Sequence, residues 1–287
     1  MTSTLAPRQT HATPATPKST WSASADLAAR YLAARARSLI AWALGILGFT
    51  LLIVAIYPTV RDSENFSAAV EDYPDAIKEF LGGEAAFDLA SGPGFLNAEM
   101  YSLMLPLLLA FVAVGIGASL GGDQESGLMD VVLANPISRA GVVMAKTITL
   151  IVSVVGLAAI VGVSVLAFDP VVDLGIGVSN VMAATVATSL LVIFHGLVAA
   201  AVGALTGRRS AAIGVAVTVF AAGYILNGLG GLVSWLEPLR PISPYHHAVG
   251  GNPLLEGWNA TGFAVLAAMS VATFAATIVA FERRDIT

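Results

Sequence analysis

Six stretches of this chain contain no Asp, Glu, Lys or Arg: Leu39–Tyr57, Met100–Leu120, Thr147–Phe168, Val178–Leu205, Ala211–Val233 and Thr261–Phe281. Each has about 19 residues or more, enough for a helix to cross roughly 30 Å of hydrocarbon. Backbone polar groups in hydrocarbon must be satisfied internally, and a helix does this within one segment. Leu, Val, Ile and Ala dominate every stretch. The Gly and Pro residues inside them are normal for membrane helices. The expected fold is all-α and polytopic, with about six transmembrane helices. Composition agrees, since 56% of residues are hydrophobic and 11% charged, against roughly 25% charged in a soluble domain.

The charges between the stretches set the expected orientation. With the N-terminus inside, eleven of the fourteen Lys and Arg residues fall on the inner side, and only Arg61, Lys78 and Arg240 outside. Thirteen of the nineteen acids fall outside. Cytoplasmic loops carry the excess of basic residues, so both termini are expected to be cytoplasmic. Adding or removing one span would spoil this separation.

The same reading divides the chain. Residues 1–24, rich in Thr, Pro, Ala and Ser, read as a disordered cytoplasmic tail. They do not read as a signal peptide, because no apolar run precedes residue 39. Over 25–38, Leu27, Tyr31 and Ala34 recur at helical spacing beside Arg30, Arg35 and Arg37. An interfacial helix on the inner leaflet is expected there, with a plain extension of the first span as the alternative. Residues 39–287 form the six-span domain, the first span closed by Pro58. Its outer segments are 61–98 and 234–260, and its cytoplasmic loop is 121–146. An amphipathic surface helix is expected over Ser67–Leu81, and short helices or a re-entrant turn over 234–260.

Several function classes are disfavoured. Ion-coupled transporters and voltage sensors place ionisable groups at membrane depth, and the six stretches have no Asp, Glu, Lys or Arg there. No GxxxxGK[ST] phosphate loop occurs, so nucleotide chemistry is not expected in this chain. No HExxH zinc motif occurs either, and the chain has no cysteine, so an enzyme, a disulfide or a thiolate metal site is not expected. His246 and His247 stand together but lack further ligands for a metal. His195, within the fourth stretch, reads either as a neutral core histidine or as a substrate contact. His195 and Asn227 are the polar candidates for a substrate path.

The loop between the second and third spans runs Gly121-Gly122-Asp123-Gln124-Glu125-Ser126-Gly127-Leu128-Met129-Asp130-Val131-Val132-Leu133-Ala134-Asn135-Pro136-Ile137-Ser138-Arg139. Asp123 and Glu125 favour a helix start. Leu128, Met129, Val132 and Leu133 form an apolar face, and Asn135-Pro136 stops the helix. Such a helix, expected over Asp123–Pro136, either docks in another protein's groove or lies on the membrane.

This loop resembles the cytoplasmic signature of ABC-2-type permeases, the membrane subunits of ATP-binding-cassette exporters. Glu125, Gly127, Asp130, Leu133, Pro136, Ser138, Arg139 and Lys146 match its pattern, whereas Leu128 stands where Thr is usual. Pro241-Ile242-Ser243-Pro244-Tyr245, Gly250-Gly251-Asn252-Pro253-Leu254 and Phe281-Glu282-Arg283-Arg284-Asp285-Ile286 resemble the outer loop and end of the same permeases. The resemblance covers about residues 30–287. It implies a half-transporter in a prokaryotic plasma membrane, paired with a second permease subunit as a homo- or heterodimer. A cytoplasmic ABC ATPase would carry the ATP and Mg, with no cofactor in this chain and no nucleic-acid partner. The implied ATPase-coupling residues are Asp123, Glu125, Gly127, Met129, Asp130, Leu133, Pro136 and Arg139. The empty spans suit a lipophilic or amphipathic substrate. The alternatives are sodium export, metalloenzyme assembly or, further off, a secondary transporter.

Overall fold

The computed structural model describes residues 20–63, 74 and 88–284. The helices in chain order are α1 (Thr20–Arg61), α2 (Gly92–Leu96), α3 (Met104–Gly117), α4 (Ser119–Glu125), α5 (Leu128–Leu133), α6 (Arg139–Val172), α7 (Val178–Thr206), α8 (Arg209–Leu229), α9 (Pro244–Ala248), α10 (Pro253–Glu256) and α11 (Ala260–Arg283). A π-helical turn, Asn97–Tyr101, separates α2 from α3. Among the described residues, six helical segments are long and apolar enough to cross a membrane: α1, the broken run Gly92–Glu125, α6, α7, α8 and α11.

The first span corrects two expectations, the boundary of the tail and the role of Pro58. Residues 25–38 follow the alternative of a plain extension of the first span, because α1 is one unbroken helix of 42 residues. The helix starts at Thr20, inside the stretch expected to be tail. At 1.5 Å per residue it is about 63 Å long, so it extends well beyond the hydrocarbon. Pro58 does not close it. Proline removes one backbone donor, that to the carbonyl four residues back, and the helix carries on to Arg61.

The second span breaks where Pro106 disfavours regular geometry in the turn before it. The π turn ends at Tyr101 and Leu103 leaves helical geometry, with φ −141° and ψ −50°. The helical path starts at Gly92, earlier than the apolar pattern suggests, and Ser91 caps it by accepting from the Gly94 N–H.

The bundle is centred on α7, which packs against α3, α6, α8 and α11. Its faces bury Ala184, Leu191, Val192, His195 and Leu197. Close approach to α3 and α4 needs glycine. A Cβ on Gly117 would lie 1.9 Å from the Gly196 carbonyl oxygen, and one on Gly203 would lie 2.9 Å from the Gly121 nitrogen. Small residues at membrane helix contacts allow this backbone proximity. Gly207 serves differently, ending α7 at φ +64°.

α1 runs parallel to α6 along its flank. Ser24 lies beside Gly141, Tyr31 lies under Lys146, and Arg61 donates to the Val172 carbonyl at 3.2 Å. These contacts divide the bundle into two ends. One carries Arg30, Lys146, Arg208 and Arg283, and is here called the basic face. The other carries Asp62, Asp173 and the segment 234–260.

That last segment holds a 3-10 turn, Glu237–Ile242, followed by α9 and α10. The Ser243 hydroxyl donates to the Gly223 carbonyl at 2.6 Å and accepts from the Tyr245 N–H. Tyr245 is buried edge-on against Phe220 and Tyr224. Asn180 donates to the Leu254 and Leu255 carbonyls. The Pro-Ile-Ser-Pro-Tyr stretch is thus a plug seated on α8. The surface helix expected over Ser67–Leu81 lies outside the described residues.

Candidate functional site

The loop between the second and third spans is not one helix. α4 ends at Glu125, and Gly127 takes a left-handed conformation at φ +71°. That conformation is costly for residues with a Cβ. α5 then restarts at Leu128 and ends at Leu133. The Asn135 side chain donates to the Val131 carbonyl at 3.0 Å, closing the turn before Pro136. The helix expected over Asp123–Pro136 is therefore two short ones with a glycine hinge between them.

Most polar members of this motif are engaged within the chain. Lys146 Nζ lies 2.5 Å from Asp123 Oδ2 and donates to Ser119 Oγ at 2.9 Å. It also stands 4.0 Å above the centre of the Tyr31 ring. Glu125 Oε2 accepts the Arg209 N–H at 3.1 Å, a carboxylate at the positive end of α8. Gln124 donates to the Gly203 carbonyl at 3.3 Å. α4 is thereby tied to α1, α6, α7 and α8.

Ser138 and Arg139 finish the basic face. The Ser138 hydroxyl accepts from the Gly141 N–H at 3.0 Å and caps α6. Arg139 Nη1 donates to the Phe281 and Glu282 carbonyls, each at 3.2 Å, and to that of Arg284. These are acceptors that the end of α11 leaves unpaired. Arg284 in turn reaches the Ala204 carbonyl at 3.4 Å, near the end of α7.

The apolar members divide. Met129 is fully buried with Leu120, Val142 and Phe281, and Val132 and Leu133 pack against that cluster. Leu133 thus faces inward, contrary to its expected place on the docking face. Leu128 and Val131 face outward, 48% and 64% exposed. Trp21, on the first turn of α1, is 63% exposed. Asp130, Asn135 and Pro136 are exposed as well. A cavity of about 260 Å³ separates the start of α1 from this region, lined by Asp26, Leu27, Arg30, Val131, Asn135 and Pro136.

Sequence reasoning missed Tyr31 and Lys146 as partners in the buried cluster. It also missed that Gly117-Ala118-Ser119-Leu120-Gly121 has the spacing of a hydrolase nucleophile elbow. Ser119 is buried within a helical run, donates to the Ile116 carbonyl at 2.6 Å, and faces Lys146. Lys146 is engaged with Asp123 and stands over the Tyr31 ring.

The two path candidates are not brought together. His195 is fully buried, with Nδ1 2.7 Å from the Leu191 carbonyl and its ring between Phe194 and Phe220. Asn227 accepts from Arg240 at 3.3 Å, next to the 234–260 segment. Of the vicinal histidines, His247 Nε2 contacts the Pro241 carbonyl at 2.7 Å.

An all-α bundle of six spanning segments, with a built platform at its basic face, defines a polytopic membrane protein. A family model described as "ABC-2 family transporter protein" matches residues 27–286. The chain belongs to that family and is a membrane component of an ABC-type transporter. No curated protein matches the chain significantly.

Proposed function

We propose that this chain is the permease subunit of an exporter for a lipophilic or amphipathic substrate, driven by a separate ATPase docked on the basic face. The basic face is then cytoplasmic, in keeping with its excess of Lys and Arg. The observation that carries this reading is the exposure of Trp21 at the start of α1 and of Leu128 and Val131 on α5, with Val131 also lining the α1–α5 cavity. Asp123, Glu125, Ser138, Arg139 and Lys146 are engaged inside the chain, so these apolar side chains, with the exposed Asp130 beside them, are what remains to meet a partner. A second permease subunit completes the transporter. ATP-driven movement of the ATPase pushes on α5 and the start of α1, and the ties from α4 pass that motion to four spans.

The test is to co-purify the full chain with its ATPase partner. Val131→Asp should abolish assembly and substrate-stimulated hydrolysis while leaving expression unchanged, because Val131 is exposed. Leu133→Ala should lower the stability of the permease itself, because Leu133 packs inward. Assembly and stimulation both unchanged in Val131→Asp would refute this docking surface.

A further inference from the structure

A groove between α3 and α8 has a charge at one end only. Its walls are Leu107, Phe111 and Gly115 on α3 and Ile213, Val217 and Phe220 on α8, and it encloses about 310 Å³. Arg209 stands at the basic-face end, with Arg208 next to it and both exposed. Among the described residues the Arg209 guanidinium makes no hydrogen bond or ion pair. Glu125 is engaged instead with the Arg209 backbone N–H. From Arg209 to Phe220 is eleven residues of helix, about 16 Å at 1.5 Å each. That is close to half of the roughly 30 Å hydrocarbon thickness. The groove therefore runs from the membrane surface to the midplane, one leaflet deep. Phe220 closes the inner end and backs onto His195, the ring centres 5.1 Å apart.

We infer that this groove holds one acyl chain of an anionic phospholipid from the leaflet on the basic face, with the lipid phosphate against Arg209. The depth matches a single leaflet, the walls are apolar, and the cation of the lining, Arg209, sits at headgroup level beside Arg208. Arginine suits phosphate because its planar fork donates two parallel hydrogen bonds. The inference does not depend on which compartment the basic face meets, nor on the ATPase. It requires only that the chain spans a bilayer.

The chain has no cysteine, so Gly115→Cys creates a unique labelling position. A Cβ there meets nothing within 4 Å, so the change spares the fold. The full-length variant, labelled with a bimane, is placed in phosphatidylcholine vesicles. These contain a fixed fraction of doxyl-labelled phosphatidylglycerol or the same fraction of doxyl-labelled phosphatidylcholine. The anionic lipid should quench the groove label with roughly five-fold greater apparent affinity, the effect of one basic residue near an anionic surface. Arg209→Gln should remove the preference and Arg209→Lys keep most of it. A label at Val271→Cys, on the exposed face of α11, should show no preference. Equal quenching by both lipids at Gly115→Cys would overturn the site, as would an unchanged preference in Arg209→Gln. No quenching by either lipid would also overturn it, since protein such as a second copy would then cover the groove.

Discussion

Lys146 and Asp123, 23 residues apart on different helices, meet at 2.5 Å, with side chains only 5% and 16% exposed. The pair joins α4 to α6, and Tyr31 beneath it brings in α1. Removing one member of a buried pair leaves an uncompensated charge, which costs about 3–5 kcal/mol. Lys146→Met should therefore lower the thermal midpoint of the purified permease sharply. Replacing both members, Asp123→Asn with Lys146→Met, should recover most of the loss. A double variant no more stable than the single one would mean that the pair is not what holds α4 in place.

Two glycines on one helix, Gly115 and Gly117, make a second comparison. Alanine at Gly117 drives its Cβ into the Gly196 carbonyl, whereas alanine at Gly115 meets open space. Overpacking a tight contact costs about 1–3 kcal/mol or more. Gly117→Ala should cut the yield of monodisperse protein, and Gly115→Ala should leave it unchanged. Size-exclusion profiles of the two variants give the answer directly.

The six spans were legible because charge is absent over whole membrane-length stretches, a signal that needs no knowledge of neighbours. The internal wiring of the platform was not. Which helices adjoin is decided by packing, so nothing in the sequence pairs Asp123 with Lys146 or Arg139 with the end of α11. The apolar face read across Leu128, Met129, Val132 and Leu133 assumed one continuous helix. The left-handed Gly127 resets the start of α5. Met129 and Leu133 then turn inward, and Leu128 and Val131 turn out. Pro58 misled as a helix end, and the break before Pro106 was not foreseen. The first was tolerated within a helix, and the second lies just beyond a π turn that no periodicity announces.

Orientation is open to a direct test in the cysteine-free chain. Ser126→Cys lies on the exposed turn between α4 and α5, and Ser67→Cys lies in the acidic segment after the first span. An impermeant thiol reagent applied to intact cells should label Ser67→Cys and spare Ser126→Cys until the cells are opened. The reverse pattern would invert the topology and place the docking surface outside.

Beside the plug, the imidazole of His246 is held below its ordinary pKa by burial, then by the Arg240 and His247 charges. The unfolded chain therefore binds a proton more readily than the folded one. This contribution to stability is complete above the ordinary histidine pKa near 6.5 and is lost as the pH falls through and below it. The melting temperature should drop between about pH 7 and pH 5, and His246→Gln should flatten that part of the profile.

Arg139 offers the last prediction, because a structural role and a docking role for it differ in readout. Its guanidinium serves the carbonyls of Phe281, Glu282 and Arg284, which the end of α11 cannot pair for itself. Arg139→Gln should unfasten that terminus. Hydrogen exchange at the amides of the last turn, up to Arg283, should then accelerate by roughly ten-fold, the effect of about 1.4 kcal/mol in a local opening equilibrium. The amides of α9, at the opposite end of the bundle, should exchange at their wild-type rate. If exchange at α11 were unchanged while ATPase assembly failed, Arg139 would be a direct contact of the partner, and its bonds to the helix end would be incidental.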